Sequence, residues 1–117
     1  MHRAPKDFLV ISGDDALTVP IIAVGGAGVI SVVANAFPQQ YAEMVQAALN
    51  NDYILAQKHH GKLLKFTNQI FSEGNPSGIK SALESMGVCK KYVRIPLVQA
   101  SAKLTAEISE SIQILQN

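Results

Sequence analysis

Val24-Gly25-Gly26-Ala27-Gly28-Val29-Ile30-Ser31-Val32-Val33-Ala34-Asn35 is the stretch that decides the fold. Its glycines stop whatever helix precedes them, and an apolar β-branched run follows at once, without regular polar alternation. A strand buried on both faces reads this way, as in a parallel sheet covered by helices. Asn35 ends the strand and Pro38 opens an amphipathic helical pattern. Upstream, Phe8-Leu9-Val10-Ile11 has the same buried-strand character and runs into Ser12-Gly13-Asp14-Asp15. Glycine at a strand end lets the backbone turn sharply or approach a ligand closely. Between the two strands, Thr18 suits the N-cap of a short helix that carries Pro20 in its first turn. That helix is nearly all apolar through Val24, so both its faces call for cover. The pattern is two βα units, and two strands cannot bury themselves.

Downstream the chain reads as helices. Tyr41, Met44, Val45, Ala48 and Leu49 recur at helical spacing, and Asn50-Asn51-Asp52 breaks the run. A longer helix is expected from about Asp52 to Phe71, with Ala56, Leu63, Thr67, Ile70 and Phe71 along one side. Gly74-Asn75-Pro76-Ser77-Gly78 reads as a loop. A short helix with Ile79, Ala82, Leu83 and Met86 follows, closed by Gly87 at C′. Arg94-Ile95-Pro96-Leu97 is expected to be extended, because a residue before proline avoids the helical region. Ser101 suits the cap of a last helix that buries Leu104, Ile108, Ile112 and Leu115.

Composition removes several classes of function. Hydrophobic residues are 48% of the 117 and charged residues 16%, which predicts a packed core rather than disorder. A net charge of +1, with no basic patch interleaved with aromatics, argues against nucleic acid. The one cysteine, Cys89, cannot form an internal disulfide; it fits a reducing compartment, and a structural place is expected for it rather than a nucleophilic one. The first residues, Met1–Asp7, lack the apolar core of a signal peptide, and no apolar stretch reaches the ~20 residues that span a bilayer. A cytoplasmic protein with no membrane partner is expected.

Candidate chemistry is thin. Gly25-Gly26-Ala27-Gly28 stands after a helix and before a strand, whereas a phosphate loop needs strand, glycines, then helix; a tight turn is the reading. Asp14 and Asp15, just past a strand, can cap and order a loop, or serve as metal ligands or general bases. With no histidine or third carboxylate nearby in sequence the first is favoured, although in an α/β barrel the strand ends face the active site and the second gains weight. His59 and His60 are neighbours on a helix, splayed to different faces, where zinc prefers histidines four apart. A Schiff-base lysine needs a desolvated pocket. Lys58, Lys62 and Lys65 share one charged helix, Lys90 and Lys91 a polar turn, Lys6 the polar lead, and Lys80 and Lys103 the helical tail. None lies in an apolar strand, so no catalytic residue is assigned to this chain.

Four segments together carry a resemblance: Phe8-Leu9-Val10-Ile11-Ser12-Gly13-Asp14-Asp15-Ala16, Gly28-Val29-Ile30-Ser31-Val32-Val33-Ala34-Asn35, Asn75-Pro76 with Lys80, and Arg94-Ile95-Pro96-Leu97. Their order and spacing resemble dihydrodipicolinate synthase, of the pyruvate-dependent class I aldolases and lyases. The resemblance spans nearly the whole chain and corresponds to the C-terminal part of that family's protein. It implies the C-terminal portion of a (β/α)8 TIM barrel plus a C-terminal helical domain, Phe8–Ile11 resembling barrel strand seven and Val29–Val33 strand eight. Residues 1–51 are then the last two β/α units, and residues 52–117 the end of the barrel with the helical domain.

The resemblance implies a Schiff base between pyruvate and a lysine on strand six, proton relay by a tyrosine on strand five, and no metal or organic cofactor. Both residues correspond to positions upstream of Met1. What carries over is substrate-binding: Ile30 matches the position whose backbone faces pyruvate, and Gly13, Asp14 and Asp15 match the strand-seven rim near the second substrate, aspartate semialdehyde. The chain departs from the family at Ser77-Gly78-Ile79, where Ile-Pro-Val is usual, and at Val33, where threonine is usual. Sister lyases acting on sialic or sugar acids therefore remain alternatives, as does a helical interaction module that does no chemistry. Open apolar strand edges point to a homo-oligomer.

Overall fold

The structure, a computed structural model, describes residues 5–117; the start of the polar lead, Met1–Ala4, lies outside the described residues. Its elements are β1 (Ile11–Ser12), α1 (Thr18–Ala23), β2 (Gly28–Val29), a 3-10 turn (Val33–Asn35), α2 (Pro38–Leu49), α3 (Tyr53–Ser72), α4 (Ser77–Ser85) and α5 (Ala102–Gln116). Two compact units divide the chain after Gly61, within α3.

In the first unit β1 and β2 pair in parallel, Ile11 opposite Gly28 and Ser12 opposite Val29. Two flanking bonds lengthen the ladder, from Ala27 N to the Val10 carbonyl (2.8 Å) and from Ile30 N to the Ser12 carbonyl (2.9 Å). The parallel pair is as expected, but both strands are shorter than their apolar runs. Among the described residues Phe8 and Leu9 pair with no strand: the Phe8 amide reaches back to the Pro5 carbonyl (3.0 Å), and β2 starts only after the glycine turn, where Gly25 takes a φ of 102°. At the other end the expected strand over Val29–Val33 stops early. The Asp15 carboxylate accepts from the amides of Val32 (3.0 Å) and Val33 (3.4 Å), so these donors leave the ladder and Val33–Asn35 winds into the 3-10 turn.

Burial on both strand faces is also corrected. Phe8, Leu9, Ile11 and Ile30 are exposed, since the helices cover only part of the sheet. α1 likewise buries only Thr18 and Ile22, and Val24 is open to solvent. Thr18 is not the cap: Leu17 holds that position, and the Asp14 Oδ1 accepts from the Leu17 amide (3.0 Å). One hydrophobic cluster joins Ile22 of α1, Ala47 and Ala48 of α2, and Ala56 of α3, with Val19 and Val45 packed on it. α2 buries Tyr41, Met44, Ala47 and Ala48 as its spacing predicts, except that Ala47 replaces Leu49 on the buried side.

In the second unit the buried side of α3 carries Leu63, Phe66, Thr67 and Ile70, whereas Phe71 is exposed. α4 begins inside the expected loop, at Ser77, and its Gly78 is buried directly against the Ile70 backbone. Ile79 and Ala82 are buried as expected, and Gly87 follows the helix with a φ of 74°. Hydroxyls along α4 meet α5 and the segment that leads into it. Ser77 Oγ donates to the Val98 carbonyl (2.5 Å), Ser81 Oγ to Thr105 Oγ1 (3.0 Å), and Ser85 Oγ meets Ser109 Oγ (2.9 Å).

Ser101 caps α5 as expected, accepting from the Leu104 amide (3.1 Å). It is itself held by Glu73, whose carboxylate accepts from the Ser101 hydroxyl (2.6 Å) and amide (2.7 Å). Gln69 of α3 accepts from Ser111 Oγ (2.7 Å), fastening α3 to α5. Arg94–Leu97 is a tight turn rather than an extended segment: the Leu97 amide reaches the Arg94 carbonyl (2.9 Å), and the Ile95–Pro96 bond is cis, as is Asn75–Pro76.

Candidate functional site: the paired strand ends

Parallel pairing brings the exits of β1 and β2 side by side, and with them Gly13, Asp14, Asp15 and Ile30. The Ile30 amide is fixed to β1 through the Ser12 carbonyl, while its side chain is 78% exposed. Gly13 and Asp14 are exposed beside it. Ser12 is buried and braces the turn, donating to the Asp14 carbonyl (2.8 Å) and accepting from the Asp14 amide (3.2 Å).

Asp15 differs from its neighbour. It is 3% exposed, and besides the Val32 and Val33 amides its carboxylate accepts a hydrogen bond from Ser31 Oγ. Ser31 Oγ in turn accepts from the Ala34 amide (2.9 Å). A buried carboxylate is tolerated only when its oxygens find donors, and here all of them come from the segment after β2. Beneath the turn, Tyr41 donates its hydroxyl to the Asp15 carbonyl (3.2 Å) and meets Thr18 Oγ1 at 2.8 Å, and Thr18 donates to the Asp14 carbonyl (2.9 Å). Burial pushes the Tyr41 phenol up to about 12, with the Asp15 charge adding to the rise and the Thr18 hydrogen bond opposing it. The phenol is a neutral donor, built into the fold.

The sequence places Tyr41 on the buried side of α2 without announcing its hydroxyl, offers Thr18 as a helix cap rather than as a partner of Tyr41 and the Asp14 carbonyl, and gives no role to Ser12 or Ser31. The one available signal was Ser31, a lone hydroxyl inside a β-branched run. The remaining candidates stay scattered. Every described lysine is exposed or half-buried. Tyr53 and Tyr92 are exposed, and Cys89 is exposed too, which corrects the structural place expected for it. His59 pairs with Glu43 at 3.7 Å. Among the described residues no group of three or more His, Cys, Asp or Glu could hold a metal, and no helix is long and apolar enough to cross a membrane. A cleft of about 40 Å³ lies elsewhere, between Lys62, Lys65 and Phe66 of α3 and Ser111, Ile114 and Leu115 of α5.

The model of the dihydrodipicolinate synthetase family matches residues 1–115. The chain belongs to that family. Named relatives agree: the 4-hydroxy-tetrahydrodipicolinate synthase of Karelsulcia muelleri is 45% identical over 107 residues, 92% of this chain and 36% of that protein. The same-named protein of Koribacter versatilis is 45% identical over 108 residues, again 92% of this chain and 36% of the relative. Among solved structures, dihydrodipicolinate synthase from Aquifex aeolicus superposes with a TM-score of 0.94 at 36% identity, covering 98% of this chain and 39% of that one. The Thermotoga maritima synthase gives 0.91 at 34% identity, over 94% and 37%.

The chain thus spans little more than a third of the length of the dihydrodipicolinate synthases it matches. Its fold is the C-terminal portion of their TIM barrel, two parallel strands with their helices, continued by helices. The synthetase family is one of lyases, and Gly13, Asp14, Asp15 and Ile30 follow directly on the two paired strands of this chain.

Proposed function

We propose that this chain is the C-terminal part of a lyase that condenses pyruvate with aspartate semialdehyde through a Schiff base, in lysine and diaminopimelate biosynthesis. The observation that carries this reading is the juxtaposition of the β1 and β2 exits within a chain of the dihydrodipicolinate synthetase family. Ile30 offers its backbone to the oxo acid, and the Gly13–Asp15 turn lines the side where the aldehyde arrives. Residues 1–51 contribute the last two β/α units and residues 52–117 the end of the barrel and a helical domain. The exposed apolar residues beside β1 are the surface on which further strands, or further copies in a homo-oligomer, would pack.

This chain alone does no chemistry in this reading. A lysine that attacks a ketone must shed its proton, which a dry pocket promotes, and no described lysine is buried. The one buried tyrosine is committed to the turn at Asp15. Two experiments test the proposal. Pyruvate with borohydride, followed by intact mass, should leave the isolated chain unmodified; a stoichiometric adduct on one lysine shows the site to be misplaced. Grafting the chain in place of the matching 39% of the Aquifex aeolicus synthase should keep the condensation. A folded but inactive graft refutes the assignment.

A further inference from the structure

Of the four rim residues, Asp15 is the one whose carboxylate is turned away from solvent, and its partners say what it does. Both of its oxygens are occupied by the chain's own donors: Ser31 Oγ and the Val33 amide on Oδ1, the Val32 amide on Oδ2. These donors begin at the residue after Ile30. On the other side of Ile30, its own amide is bound to the Ser12 carbonyl at 2.9 Å. Ile30 is therefore clamped from both directions, by β1 before it and by Asp15 after it. Tyr41 and Thr18 hold the turn from below, through the carbonyls of Asp15 and Asp14.

We infer that Asp15 is a positioning residue rather than a substrate ligand: with Ser31 as its partner, it fixes the backbone of Ile30 at the paired strand ends. This rests on the assignment of Ile30 to the substrate rim, and it divides the two adjacent aspartates. Asp14 stays exposed, its Oδ1 accepting from the Leu17 amide, and is the one with an accessible face for the aldehyde substrate. Asp15 is spent internally. The geometry also explains why the ladder ends at Ile30, since the next donors are drawn to the carboxylate instead.

Amide exchange by NMR on the intact chain tests this. In Asp15→Asn, exchange at Ile30, Val32, Val33 and Ala34 should accelerate by roughly tenfold to a hundredfold, the range expected for losing hydrogen bonds to a buried charged group. The Ile30 amide resonance should shift, and α2 should keep its protection. Ser31→Ala, which removes only the hydroxyl, should reproduce a smaller part of the effect, and Ser31→Thr, which retains it, should restore protection. If Asp15→Asn fails to fold, the serine pair decides. Uniform acceleration across the first unit, or an unmoved Ile30 amide, overturns the inference, because either would make Asp15 a general stabiliser or a bystander. An inactive Aquifex graft would instead count against the proposed reaction while leaving the exchange pattern standing, so the two failures are separable.

Discussion

Gly78→Ala is the most informative single change to the second unit. A Cβ built at Gly78 would lie 2.6 Å from both the carbonyl carbon and the Cα of Ile70, and closer still to its carbonyl oxygen. All three are backbone atoms of α3, so no rotamer change relieves the clash. Ordinary carbon contacts need about 3.5–4.0 Å, and α4 would have to retreat from α3 by roughly 1 Å. Overpacking of this kind costs ~1–3 kcal/mol, and the retreat also strains the bonds of Ser77 and Ser81 to the chain opposite, at about 1 kcal/mol each. Alanine returns about 1 kcal/mol through its helix preference. The expected net loss is about 2–4 kcal/mol. Gly61→Ala is the control: it lies inside α3, where an added Cβ meets nothing within 4 Å, so the same substitution should stabilise by up to about 1 kcal/mol. Urea unfolding followed by far-UV circular dichroism reads both, and their midpoints should move in opposite directions. A Gly78→Ala unfolding free energy within about 0.5 kcal/mol of the parent would refute the close approach of α4 to α3.

The Tyr41 phenol ionises near 12 in the folded chain against 10.0 for an ordinary tyrosine, so its contribution is complete below pH 10 and drains away as pH rises towards 12. Stability should fall by about 1 kcal/mol by pH 11 from this group, and Tyr41→Phe, weaker at neutral pH, should lack that alkaline step in pH-resolved unfolding curves. Glu73 is held below the usual carboxylate range by the Ser101 hydroxyl and then by the Ser101 amide. Its support is present above the ordinary value and lost as pH drops through the lower folded one; NMR titration should find Ser101→Ala moving Glu73 back up, and an unshifted Glu73 in the parent would contradict the contact. The exposed side chains of Phe8, Leu9, Ile11 and Ile30 should bind a hydrophobic dye and drive self-association at micromolar concentration, with Phe8→Lys reducing both. A clean monomer by light scattering, dark to the dye, would sink that expectation.

Helices α2 to α5 were legible because each has an apolar row at helical spacing, and Ser101 and Gly87 mark the start of α5 and the end of α4 with residues whose chemistry suits the position. The parallel pairing of the two apolar runs was legible as well. Their lengths were not, because a β-branched run says that a segment can enter a sheet, not that its amides will find partners there. At Val32 and Val33 a carboxylate seventeen and eighteen residues away wins those amides, and nothing local in the sequence announces it. The same holds at the site. Asp14 and Asp15 stood out together, yet one is exposed and the other buried, and only the fold separates them. At Pro96 the bias on Ile95 predicts extension, whereas the chain makes a tight turn there.

The hydroxyl row between α4 and α5 has a mechanical meaning. Its partners climb together, 81 with 105 and 85 with 109, so the row repeats once per helical turn on both sides. At an intermediate offset each hydroxyl pair is lost, at about 1 kcal/mol, so the row favours offsets of whole turns of about 5.4 Å. A slide of one turn would even re-pair Ser81 with Ser109 and Ser77 with Thr105. The repeating row is therefore a vernier that cannot choose its own zero. That choice falls to contacts that do not repeat, Ser77 on the Val98 carbonyl and Glu73 on Ser101, which anchor the segment leading into α5 and its N-cap and leave one notch available.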